Sequence, residues 1–303
     1  MKTIGIILPT RNRTNELWDW MRAMSNRDLT DHPDEIIIIN DSSTYDTVQM
    51  VMKNWNIGIS YKTFTNSEQM GTVESSKVGL WNSTTDFVMF ASDEVVILPG
   101  AIKSIRDAIN SKSNPKLVLG RSRWIDDKRD IRWIASAKNP TGFNTAFDTG
   151  IDAASGYFRP AYETAVLDRQ EALLLITPAL KCYNETYMTW SLAFTHGYLM
   201  LPDILTGFML REDGVYGGDK TGEQTALLML KEFERNLNPG ALLRLRNSGA
   251  LGYLTHPSLN AVMKAYPLWV NGNLKSHRMN CKLETFFRKY LPAWVQKLGV
   301  KYY

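Results

Sequence analysis

Three apolar runs, at residues 3–8, 35–39 and 87–90, constrain the fold of this chain more than any other feature. Each stops abruptly at a loop of hydroxyl, amide and carboxylate side chains. Ile36–Ile39 has no polar face, so a strand there must be covered on both sides. The intervening segments carry helical spacing. Thr14 or Asn15 is placed to cap a helix with Leu17, Trp18, Met21 and Met24 on one stripe. A second helix is predicted over about 46–55, a short strand over 57–63, and a Gly71-centred loop then leads into a helix ending near Trp81. A helix at about 100–112 and a strand at 116–119 follow. Strands alternating with helices of this length predict an α/β fold with a Rossmann-like, mostly parallel, doubly wound sheet.

The rest of the chain is less regular. Residues 122–160 are rich in Trp, Asp, Gly and Asn, and helical patterns resume at 169–175 and 185–196. The expected division is a main domain over 1–215, with a ligand-binding half at 1–112 and a second half at 113–215, and a helical extension over 216–303. From Lys264 onward eight basic residues face a single acid, Glu284, and alternate with Phe, Tyr and Trp. That basic, aromatic tail suits a solvated amphipathic helix, an anionic membrane surface or nucleic acid, where cations neutralise phosphates and aromatics stack on bases. No apolar run is long enough for a transmembrane helix. The two cysteines, Cys182 and Cys281, match no metal or redox spacing, and the first residues lack signal-peptide character. A cytoplasmic protein, or one peripheral at a membrane, is expected.

Chemistry gathers in the loops after the three runs: Pro9-Thr10-Arg11-Asn12-Arg13, Asn40-Asp41-Ser42-Ser43-Thr44 and Ser92-Asp93-Glu94. A doubly wound sheet brings such loops to one edge. Together they offer hydroxyls, cations and an adjacent acid pair suited to a hard divalent ion, Mg2+ or Mn2+, bridging a diphosphate. There is no P-loop and no G-x-G-x-x-G, which argues against a P-loop NTPase or a dinucleotide enzyme.

At these residues the chain resembles the family 2 glycosyltransferases of the GT-A fold. The matching features are Pro9-Thr10-Arg11-Asn12-Arg13, the run Glu35 to Thr44, the pair Gly71 and Gly79, and the acid motif before Leu98-Pro99-Gly100-Ala101. Asn40 and Ser42 depart from the family pattern, as do Ser92 and Glu94 in its D-x-D motif, while Ser76 stands at a family Arg with Lys77 beside it. The resemblance implies an inverting, metal-assisted enzyme using a nucleotide-sugar, UDP-linked in preference to others. It assigns donor binding to Pro9, Thr10, Arg11, Arg13, Asp41, Gly71, Lys77, Ser92 and Asp93. Asp93 and Glu94 are the implied metal ligands, with His256 as a further candidate. Glu185, five residues before Trp190, is the implied general base, and Asp213 is its rival.

The acceptor implied is a hydroxyl of a glycan or glycolipid; a hydroxymethylated DNA base is the alternative, and a nucleotide-sugar-binding protein without catalysis is the alternative of another class. Trp124, Trp133 and Tyr157 are candidate stacking residues as much as packing ones. His32 reads as a surface residue, and His196 and His277 as hydrogen-bonding or core residues. Gly217–Thr221 reads as a turn.

Overall fold

The computed structural model describes residues 1–44, 48–49, 53, 59–111, 113–125, 131–135, 141–146, 148–149, 165–209, 222–248, 250–253 and 256–267. Strand β1 (Ile4–Thr10) lies between β2 (Glu35–Asn40) and β4 (Phe87–Phe90), parallel to both, and β3 (Tyr61–Thr65) extends the sheet beyond β2. On the other side β9 (Ala165–Asp168) runs antiparallel to β4 and to β6 (Leu117–Ile125). Next come β10 (Tyr198–Met209), parallel to β6, and the short β5 (Val95–Ile97), antiparallel to β10. Two further strands, β7 (Ile131–Ala135) and β8 (Gly142–Asn144), pair with β6 and β10. The first half of the sheet is thus wholly parallel and the second half mixed.

Every residue of β1 and β2 is buried, as strands covered on both faces require. Alternate side chains enter two separate cores. Ile6, Leu8, Ile36, Ile38 and Met89 pack with helices α1 (Thr14–Ser25) and α3 (Ala101–Ile109). Ile7, Ile37, Ile39, Val88 and Phe90 pack beneath α2 (Thr72–Asn82), α4 (Arg169–Leu175) and α5 (Asn184–His196). That second core also takes in Met229, Phe233, Leu245 and Val262 from α6 (Gly222–Asn236), α7 (Pro239–Ser248) and α8 (His256–Ala265).

Several local expectations need correction. Trp18 is 38% exposed and Trp20 takes its place, because the buried stripe is Leu17, Trp20, Met21 and Met24. That is the i, i+3, i+4, i+7 pattern of one helix face. Neither Thr14 nor Asn15 caps α1: Arg13 holds the cap position, its carbonyl accepting from the Leu17 amide at 2.9 Å. His32 is buried rather than on the surface, and its carbonyl accepts from Arg106 at 2.7 Å. The strand expected over 57–63 is β3 at Tyr61–Thr65, an edge strand with exposed and half-buried residues in alternation. The helix expected over about 46–55 falls largely outside the described residues.

Gly79 explains the second glycine of the pair seen in the sequence. A Cβ there would stand 2.5 Å from Ile7 Cγ2 and 2.8 Å from Ile39 Cδ1, so α2 lies directly on β1 and β2. Gly79→Ala forces that helix outward. The expected loss is about 1–3 kcal/mol, read as a lower urea midpoint at unchanged slope.

Candidate active site

Chain order places the crevice. β2 flanks β1 on one side and β4 on the other, so the connections diverge from β1 in opposite directions. Ligands of open α/β sheets bind beyond the carboxyl ends at such a switch point. Here β1 also outruns its neighbour. The β1–β4 register ends at Ile7 and Phe90, with one more bond from the Ala91 amide to the Ile7 carbonyl at 2.9 Å. Pro9 lies beyond that point. A proline, with no N–H to donate, is tolerated where the ladder has stopped.

The loops leaving this edge are tied to one another by side chains. Thr10 Oγ1 donates to Asp93 Oδ2 at 2.7 Å, joining the end of β1 to the turn after β4. Asn12, held at φ 55°, accepts from the Thr44 amide at 2.7 Å, and its own amide donates to Ser43 Oγ at 3.0 Å. Asn40 Oδ1 accepts from the Ser43 amide at 3.0 Å. Asp41 holds the third connection. Its Oδ1 accepts from Asn66 Nδ2 at 2.9 Å and the Met70 amide at 2.8 Å, and its Oδ2 from the Gly71 amide at 2.9 Å. Burial disfavours the Asp41 charge, but these donors and Ser75 outweigh it and hold the carboxyl below its ordinary value.

Asp93 and Glu94 occupy the corner of a turn closed by the Val95 amide on the Ser92 carbonyl at 3.0 Å. The Asp93 side chain is 8% exposed. Burial pushes its carboxyl up to about 6, against the opposing pull of the Thr10 hydroxyl and Arg13. The Arg13 guanidinium bonds Glu94 and lies 3.9 Å from Asp93. Burial works against the Arg13 charge, yet the two acids, with Glu16, keep its pKa above the ordinary value. Adjacent carboxylates that already share a cation suit a hard divalent ion. Among the described residues no group of three His, Cys, Asp or Glu forms a cage.

The remaining sequence candidates are placed less centrally. Pro9 is buried, Ser92 half-buried, and Arg11 exposed on the rim. Gly71, at φ 88°, precedes α2. Lys77 is not brought to the acid pair: its ammonium lies 5.0 Å above the Trp81 ring and 3.9 Å from Glu74. Glu185 stands in the first turn of α5. The other end of that helix, His196, leads straight into the start of β10, whose first residues pair with Val118 at the start of β6. α5 therefore ends at the amino edge of the sheet, and Glu185 lies at its other end. The backbone of His256 starts α8, but its side chain, like Asp213, lies outside the described residues. So do the side chains of Trp124 and Trp133, Tyr157, His277, and residues 217–221.

Asn66, which helps to hold these loops together, was not singled out in the sequence. Asn66 carried a signal: it follows β3 as Asn40 ends β2, and its amide donates to the Asn40 carbonyl at 2.9 Å.

This sheet, with its switch-point crevice and acid turn, is of the GT-A type. Residues 5–137 match the profile of the family described as Glycosyl transferase family 2. Over those 133 of the 303 residues the chain is similar to that family of glycosyltransferases. S. aureus TarS 1–349 in complex with UDP-GlcNAc is similar in structure, with a TM-score of 0.66 and 16% identity over 92% of this chain and 79% of that one. Against S. aureus TarS in a longer form the TM-score is 0.67 at 15% identity, and this chain spans 50% of that one while 91% of it is matched. The mannosyltransferase PcManGT from Pyrobaculum calidifontis, in complex with GDP-Man and Mn2+, gives a TM-score of 0.57 and 12% identity over 99% of this chain and 84% of that one. At such identities the likeness is one of fold. No curated protein matches the chain significantly in sequence. Among the described residues no helix is long and apolar enough to cross a membrane.

Proposed function

We propose that the protein transfers a sugar from a nucleotide-sugar, UDP-linked, to a hydroxyl of a glycan or glycolipid, with inversion at the anomeric carbon. The observation that carries this reading is the Thr10–Asp93 bond at the β1/β4 switch point, which fixes the acid turn beside the crevice where a nucleotide enters. The loops pinned by Asp41 and Asn12 form the nucleoside end, and Asp93 and Glu94 face the diphosphate. Residues 1–112 supply this donor side, 113–215 the acceptor side, and the helices after 216 buttress it. A divalent cation, when bound by Asp93 and Glu94, supplies charge neutralisation on the departing diphosphate.

The chain's own residues do the rest. Thr10 keeps Asp93 turned into the crevice, and Arg13 balances the acids. Glu185, in the first turn of α5, accepts the acceptor's hydroxyl proton as its oxygen attacks from the face opposite the nucleotide. Thermal denaturation with UDP-sugars and GDP-sugars, with and without Mn2+, tests the reading. A donor at a hundred times its Kd stabilises by about 2.7 kcal/mol. A panel that leaves the midpoint unmoved overturns the assignment.

The base is tested separately. Glu185→Gln lowers kcat by about 10²–10⁴-fold while donor affinity holds. If Asp213→Asn shows that loss instead, the base lies in the later loop.

A further inference from the structure

The acid pair of this protein already holds a cation of its own. Arg13 enters the turn from the start of α1, bonds Glu94 directly and lies 3.9 Å from Asp93, and its side chain is 25% exposed against 8% for Asp93 and 13% for Glu94. A guanidinium so placed satisfies the same oxygens that a divalent ion would use. The surroundings stay negative even so, because Glu16 adds a third carboxylate to the field around Arg13 and Asp93. A diphosphate is repelled from such a place until further positive charge arrives.

We propose that Arg13 is a tethered competitor of the metal: it occupies Glu94 in the donor-free protein and must release it before a divalent ion can bind. This rests on the glycosyltransferase reading above. It makes metal affinity weak without a donor. Cation and diphosphate then bind together, since the released guanidinium and the metal ion both face the incoming anion. The bidentate donor geometry of arginine suits both partners in turn, a carboxylate and then a phosphate.

The test is Mn2+ binding to nucleotide-free protein, read from the electron paramagnetic resonance signal of free Mn2+. Arg13→Gln is expected to bind Mn2+ at least tenfold more tightly than the wild type. Arg13→Lys, which keeps the charge but loses the fork, is expected to fall between them and carries the comparison should the glutamine variant not fold. Adding Glu94→Gln to Arg13→Gln should abolish the gain. Equal affinity in the wild type and the position-13 variants, weaker binding in the variants, or no Mn2+ binding by any of them overturns the proposal. Stabilisation of the wild type by UDP or GDP is scored independently. If a nucleotide binds while Mn2+ affinity ignores residue 13, only this inference falls. If no nucleotide binds, the functional reading falls with it.

Discussion

Asp41→Ala is expected to cost about 3 kcal/mol of stability and to weaken nucleotide binding by a hundredfold or more. The carboxylate is 5% exposed and accepts three hydrogen bonds, two of them from the backbone amides of Met70 and Gly71. Bonds to a charged acceptor are worth about 1.5–3 kcal/mol each when donors are stranded, though water entering the gap recovers part. In thermal denaturation that loss is about 5 °C for a chain of this size. The second readout is local: amides of residues 66–75 exchange faster in the variant, while those of β1 and β4 do not. Asp41→Asn, which keeps one acceptor oxygen but points an amide at other donors, falls between. Because the Asp41 pKa is held below its ordinary value, its contribution is complete above the unfolded carboxyl's pKa of about 4. It is lost as pH falls through the lower, folded value, so the variant's deficit should be flat from neutral pH down to about 5. An unchanged midpoint for Asp41→Ala would show that the loop before α2 is held by something else.

That network also marks the limit of what the sequence made legible. Asp41 was expected to bind the donor, and it does lie at the carboxyl edge. Yet its oxygens are engaged first in holding the loop that runs into α2. No spacing rule announces that a carboxylate will be used by a loop some thirty residues away, because such a bond depends on where β3 returns. Lys77 lies away from the acid pair for a simpler reason. At i+4 on the same helix face, Trp81 offers its ring to the ammonium, and a local cation–π contact needs no chain reorganisation.

The strands divide in the same way. β1, β2 and β4 were legible because burial on both faces leaves an unbroken apolar run. β3 was misplaced because an exposed edge strand, Tyr61-Lys62-Thr63-Phe64-Thr65, carries little hydrophobic contrast. β10 was not foreseen. Pro202 and Asp203 interrupt it, and its pairing with β6 slips between Met200 and Thr206. An irregular strand hides its period, and β9, with four residues, is too short to show one. In the first helix the stripe was right in pitch but wrong by one side chain: both Trp18 and Trp20 precede Met21, and only the position of the sheet decides between them.

Asp93→Asn is expected to be more stable than the wild type at neutral pH in metal-free buffer, and inert as a transferase. Burial raises this carboxyl to about 6, well above the roughly 4 of an unfolded chain. Between those values the folded state holds a proton that the unfolded state has lost. Stability therefore declines as pH climbs through that window, and above it the native state bears the cost of a nearly buried charge. At 1.36 kcal/mol per pKa unit the cost approaches 3 kcal/mol, and losing a partner for Arg13 reduces the net gain on substitution to about 1–2 kcal/mol. An asparagine still accepts from Thr10 Oγ1, so the tie to β1 survives. Urea denaturation with EDTA at pH 7.5 and pH 4.5 makes the comparison: the variant should lead at the higher pH and lose its lead at the lower. A carboxylate kept at such a cost fits a site whose charge is met by a ligand. Adding Mn2+ and a nucleotide should then stabilise the wild type and leave Asp93→Asn unmoved. A variant that gained no stability at pH 7.5, or gained as much at pH 4.5, would show that the Asp93 charge is already balanced within the free protein.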